Sequence, residues 1–137
     1  WFLLAGDMTA LPAISCNLEQ LPSDAKGYAV IEISSNEDVQ PLSVPQGIDI
    51  QWVIAGSHSD QEKFLNTVFD LEWLSGQPYV WCACEFASMK ALRKYFKVTR
   101  EIDKRSLYIS SYWKRGNSED QHKVAKQKDA SLEETAN

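Results

Sequence analysis

The apolar positions of this chain fall into short unbroken runs separated by stretches of helical period. Trp1 to Ala5 is an uninterrupted apolar run, and Tyr79 to Cys84 is nearly one. Runs of that kind are how strands look when both faces of a parallel sheet are covered. Tyr28 to Ile33, Ile48 to Ile54 and Ser106 to Ser110 read as three further strands, the second by alternation of apolar and polar positions. Between them lie helical patterns. Ala10 or Leu11, Ile14, Leu18 and Leu21 repeat at one spacing, with Thr9 as the expected cap and Pro12 tolerated in the first turn. Phe64, Leu65, Val68 and Phe69 define a second helix, opened by a capping box of Ser59 and Glu62 and ending near Gly76. Glu85 to Lys97 is the clearest amphipathic stretch, with Met89, Leu92 and Phe96 inward. Ser34 to Gly47, interrupted by Pro41 and Pro45, reads as a connection. Beyond Asn117 only Val124 and Leu132 could anchor a helix, so 119–134 reads as a helix or a mobile tail.

Strands alternating with helices predict an α/β fold: a three-layer open parallel sheet of about five strands with helices on both faces. Ligands of such sheets sit beyond the carboxyl ends of the strands. Here those ends are Gly6 to Thr9, Ala55 to His58, Cys84 to Phe86 and Ser111 to Arg115. The first is a strand feeding a helix through a small-residue turn. It predicts free N–H groups aimed at an anion, or else an ordinary βα unit, since the glycine-rich dinucleotide fingerprint is absent.

The 137 residues are about one domain's worth of chain. They begin without Met and inside a strand, which suggests a carboxy-terminal piece of something longer. The first residues lack the basic flank of a signal peptide. No apolar run approaches the ~18 residues of a membrane span. Three cysteines make no disulfide framework, which favours a reducing, cytoplasmic setting.

The net charge of −5 is unevenly spread. Residues 1–89 carry 2 basic and 12 acidic groups, residues 90–115 carry 9 and 2, and residues 116–137 carry 3 and 5. The basic block suggests an anionic partner, or a solvated helix face. Its few interleaved aromatics, in an otherwise acidic chain, argue against nucleic acid.

Cys82 and Cys84 share a strand face, but no matching ligand pair makes them a zinc site. His58 and His122 are far apart in sequence and signal no nucleophile partner. Asp7 and Glu85 would meet at the ligand edge, as an acid and base pair or as groups orienting a ligand. Lys114 and Arg115 flank Trp113, a combination suited to a planar or anionic ligand.

Taken together, Leu3-Leu-Ala-Gly-Asp-x-Thr-Ala-Leu-Pro-Ala-Ile14, Trp52, Trp81-x-Ala-x-Glu85, Ala91-Leu-Arg-x-Tyr95 and Tyr112-Trp113-Lys114-x-Gly116 resemble the carboxy-terminal domain of siderophore-interacting proteins. These are flavin-dependent ferric-siderophore reductases related to ferredoxin–NADP reductases. The resemblance spans residues 1–116 and implies an NAD(P)-binding-like domain there. Residues 117–137 would be a polar carboxy-terminal helix or tail, similar to an extension found in one branch of the family. An amino-terminal β-barrel holding FAD would lie outside this chain, so that the isolated piece would not turn over. The resemblance implies electron flow from NADH or NADPH through FAD to siderophore-bound Fe(III), with release of Fe(II). Reduced ferredoxin is a further candidate donor, and a ferric siderophore is the implied partner. By that likeness Gly6, Asp7, Thr9 and Ala10, with Ala83, Cys84 and Glu85, would line the nicotinamide site. Trp113 would approach the flavin, with Glu85 and Trp113 as the catalytic pair. Lys114 and Arg115 would attract the anionic siderophore.

Two departures from the family pattern bear on this. Cys84 stands where a glycine is usual, and its thiol is expected to crowd a nicotinamide. An Arg common after the third-strand Trp is missing from Val53-Ile54-Ala55-Gly56, which favours NADH over NADPH or a different reductant. Two rival readings are a siderophore- or partner-binding domain without turnover, and a reductase of free flavin or of an electron-transfer protein.

Overall fold

The computed structural model describes residues 1–55 and 61–136. Strands β1 (Phe2–Gly6), β2 (Lys26–Ile33), β3 (Gly47–Ile54), β4 (Tyr79–Glu85) and β5 (Leu107–Trp113) alternate with helices α1 (Leu11–Gln20), α2 (Gln61–Phe69), α3 (Phe86–Lys94) and α4 (Glu119–Ala136). All strand pairings are parallel, in the order β3-β2-β1-β4-β5. The order reverses at β1, so β1 and β4 leave from the switch point where such sheets bind ligands.

The period-two alternation of the strands sorts their side chains into two cores. Leu4, Ala29, Ile31, Ile33, Ile48 and Ala83 pack against Leu11, Ile14 and Leu18 of α1. Leu3, Ala5, Val30, Val53, Val80, Cys82 and Cys84 pack against Phe64 and Val68 of α2 and Met89, Leu92 and Phe96 of the α3 side. Both faces of β1 are therefore dry, which is why its sequence is unbroken.

Several boundaries differ from the sequence reading. Helix α2 ends at Phe69 rather than near Gly76, and Ser59 of the expected capping box and His58 lie outside the described residues. Helix α3 relaxes into a π-helical turn, Tyr95–Thr99, before Arg100. Strand β5 runs three residues further than expected, to Trp113. The tail is an 18-residue helix, α4, docked on α3 and β5. Its anchors are polar, not the two apolar residues that the pattern offered. Arg93 makes a two-pronged ion pair with Asp129, at 2.7 and 2.9 Å. Lys97 pairs with Glu133, and Lys90 approaches Asp129 at 4.0 Å. Part of the basic block is thus met by the chain's own carboxylates.

Candidate functional site

The carboxyl ends of β1, β2, β4 and β5 meet at one edge. Asp7 follows β1 directly. Its Oδ1 accepts from the Thr9 N–H at 3.0 Å and from the Thr9 hydroxyl, capping the short 3-10 turn Met8–Ala10 that leads into α1. Its Oδ2 accepts from Trp113 Nε1 at 2.7 Å, across the sheet edge. The cap is therefore Asp7, not Thr9. The Thr9 amide that was to greet an anion is already taken by a carboxylate.

Glu85 repeats the pattern at the end of β4. Its Oε2 accepts from the N–H groups of Ala87 and Ser88, at 2.8 and 3.3 Å, and so caps α3. Its Oε1 accepts from the Arg115 N–H at 3.2 Å. Asp7 and Glu85 are 5% and 9% exposed. A carboxylate in the first turn complements the helix dipole. Both expected acid–base groups thus hold backbone and indole in place.

The register explains how Trp113 reaches this edge. Cys84 lies opposite Ser111, but Glu85 lies opposite Trp113, so Tyr112 is the extra residue of a bulge. Bulges re-aim side chains at sheet ends. The Ser111 hydroxyl donates to the Trp113 carbonyl at 3.1 Å and accepts from His122 Nε2 of α4 at 2.7 Å. That arrangement fixes His122 as the Nε2–H tautomer. His122 is 6% exposed, and burial first and the Lys126 charge second lower its pKa, favouring the neutral ring. Its partner is thus a serine on β5, which sequence spacing could not indicate.

The expected cleft residues divide sharply. Gly6 is needed for packing: a Cβ there would sit 2.6 Å from the Ala83 carbonyl oxygen and 2.9 Å from the Ala10 Cβ. Ala10 and Ala83 are fully buried against α1. Cys84 points into the other core, where the neighbouring Cys82 thiol and burial raise its pKa. The expectation that Cys84 would crowd a ligand is corrected: strand alternation turns the thiol away from the edge. The cations also part company. The Arg115 guanidinium lies 5.3 Å from the centre of the Trp113 ring, at the edge. Lys114 Nζ instead sits 4.9 Å from the Phe86 ring, beside a groove of about 340 Å³ between α3 and α4.

Asp7, Thr9, Glu32, Ser34, Ala55 and Trp113 line a recess of about 120 Å³ at this edge. Glu32, on β2, was not singled out in the sequence, where it is a lone acid within the apolar run Tyr28 to Ile33. Burial, then the charges of Asp7 and Glu85, push its pKa from 4.5 to about 7, against the opposing pull of Arg115. The recess is small beside the ~300–1,000 Å³ of ligand pockets, so this chain offers one wall rather than an enclosure. Among the described residues, no group of three or more His, Cys, Asp and Glu side chains is placed to hold a metal ion. Among the same residues, no helix is long and apolar enough to cross a membrane.

Fold and edge together define an open parallel α/β domain whose ligand-facing side is built from the ends of β1, β2, β4 and β5. The model of the siderophore-interacting protein family matches residues 1–116, and the chain belongs to that family. It is 36% identical to an uncharacterized protein of Mycobacterium tuberculosis, over 97% of this chain and 51% of that protein. It is 34% identical to the ferric vibriobactin reductase of Vibrio cholerae, over 88% of this chain and 45% of that enzyme. The crystal structure of the siderophore-interacting protein SipS from Aeromonas hydrophila superposes with a TM-score of 0.86 at 31% identity, covering 95% of this chain and 52% of SipS. The chain therefore spans about half the length of the curated relatives it matches.

Proposed function

We propose that this chain is the donor-side domain of a flavin-dependent ferric-siderophore reductase, with residues 1–116 as the NAD(P)-binding-like unit and 117–137 as an appended helix. FAD would be held mainly by a separate amino-terminal barrel, and the site would work in the cytoplasm. When bound, the flavin supplies the redox chemistry, taking reducing equivalents from a donor and passing single electrons to siderophore-bound Fe(III). What this chain supplies is placement. Trp113 stands as an aromatic wall braced by Asp7, Glu85 holds the Arg115 backbone beside it, and Arg115 brings positive charge to an anionic ferric siderophore. Lys114 adds to that field from the side of α4. The observation that carries the reading is the indole of Trp113 tied to Asp7 at the switch-point edge, in a member of a family with relatives named as ferric-siderophore reductases.

NADH is the favoured nicotinamide donor. Ala55 stands in the recess with Glu32, and among the described residues no arginine lines it, so a 2′-phosphate there would lie against a carboxyl. A second reading is supported by the two carboxylate caps. They occupy amides that a pyrophosphate would otherwise use, which suits a protein donor such as reduced ferredoxin. Reduction rates of the flavin-loaded protein with NADH, NADPH and reduced ferredoxin test both. The account expects NADH to exceed NADPH. A strong NADPH preference would overturn the donor assignment, and fast reduction by ferredoxin alone would select the second reading.

A further inference from the structure

Asp7 is buried, yet its two oxygens serve three donors on two different elements. Thr9 holds Oδ1 from the turn, and the Trp113 indole holds Oδ2 from the end of β5. Three of the roughly four acceptor sites of the carboxylate are thus engaged within the protein, although Asp7 also borders the recess. Trp113 is held at other points as well: its carbonyl by the Ser111 hydroxyl, its strand position by the bulge, and one ring face by the Arg115 guanidinium. A half-buried tryptophan fixed on so many sides has a defined plane. A carboxylate accepting from the indole N–H also pushes electron density into the ring, since charge-assisted hydrogen bonds are the strong ones.

We propose that Asp7 is a positioning residue that fixes Trp113 as an electron-rich plate for a planar, electron-poor heteroaromatic ring of the flavin or nicotinamide class. The inference rests on the reductase reading for the identity of that ring, but not for the latch. Asp7 acts on that ring through Trp113. A side chain locked before binding loses no rotamer freedom on stacking, which is the usual gain from preorganisation. Offset stacking then depends on the plane that the Asp7 bond sets.

The test compares D7N and W113F with the wild type in the full-length, flavin-loaded protein. The amide side chain introduced by D7N keeps the shape but cannot accept from all three donors. The first readout is the indole N–H resonance that W113F removes. In the wild type it should lie downfield and exchange slowly, and in D7N it should move upfield and exchange faster. The second readout separates the two ring sources. If the plate faces the flavin, W113F raises flavin emission by removing a quencher. If it faces the nicotinamide, W113F weakens NAD⁺ binding about tenfold and leaves emission alone. In either case D7N should move the same readout in the same direction, by less. An unmoved indole resonance in D7N overturns the latch. So does a D7N defect that W113F does not share, which would mean that Asp7 contacts ligand directly. Neither emission nor NAD⁺ affinity responding to W113F overturns the plate. Should D7N fold poorly, W113F still tests the plate, and Thr9→Val, which removes only the hydroxyl donor, tests whether Asp7 needs its brace. Failure of the full-length wild type to bind flavin at all would count against the reductase reading, while the indole resonance would still report on the latch.

Discussion

At the scale of single residues, the edge is governed by carboxyls with unlike tasks. Asp7 and Glu85 are spent on caps, whereas Glu32 is pushed up to about 7. A carboxyl raised above its ordinary 4.5 binds a proton more tightly in the folded protein than in the unfolded one. Its contribution is therefore favourable at acid pH and is lost as pH rises from the ordinary carboxylate range through about 7. Replacing Glu32 with Gln should remove this dependence. The variant should gain ~1 kcal/mol relative to the wild type at pH 8, a figure discounted for the partial exposure of the group, and little at pH 5. Urea unfolding at the two pH values checks this, and an equal effect at both would show that Glu32 ionises normally. Cys84 gives a second case. Its thiol fills core, so Cys84→Gly should cost ~1–2 kcal/mol through a lost contact and a freed backbone. Donor affinity should be unchanged in that variant. A marked rise in affinity with unchanged stability would restore the crowding idea. The residue identities at the edge were legible in sequence, because small turn residues and acids after strands mark the ligand side. Their tasks were not, because a carboxylate capping its own helix and one facing a ligand have the same spacing.

At the scale of elements, the strands were legible and a helix over 119–134 was one of two readings, but its docking was not legible. The unbroken runs of β1 and β4 follow directly from burial on both faces. Helix α4 has almost no apolar stripe, and its docking depends on pairs 36 residues apart, Arg93 with Asp129 and Lys97 with Glu133. No local pattern encodes such pairs. The Arg93 hydrogen bond and charge hold the Asp129 carboxyl below its ordinary range, while the neutral state of His122 is favoured by burial. Both signs agree. A depressed carboxyl loses its contribution as pH falls through its folded value, and a histidine buried neutral loses its own as pH falls through the ordinary imidazole range. Acid should therefore release α4 before the sheet melts. Amide exchange across 119–136 should rise first on acidification, and uniform exchange across the chain would contradict this. Asp129→Asn should cost ~1 kcal/mol, since the pair is only partly screened from water. Its effect should fall on α4 exchange rather than on the sheet.

At the scale of the molecule, the chain is an acidic α/β layer whose basic block is partly consumed internally. Of that block, Arg115 stands at the edge beside Trp113, whereas Arg93 is held in an ion pair with Asp129. What remains is one wall with an indole, two bracing carboxylates and a guanidinium. The parallel sheet with helices on both faces followed from periodicity, whereas the strand order came only with the structure. The ligand could not, because a recess of about 120 Å³ has room for only part of one. The proposed siderophore ligand and the reduction of its iron rest on the family and on relatives that are ferric-siderophore reductases. The reductase account is tested most directly by pre-reducing the flavin-loaded protein without oxygen and mixing it with a ferric siderophore. Flavin reoxidation should then be followed by absorbance while an Fe(II) chelator is present. The account predicts that oxidised flavin returns and Fe(II) appears together, at a rate that falls in Trp113→Phe. Siderophore binding with the flavin left reduced and no Fe(II) released would contradict it.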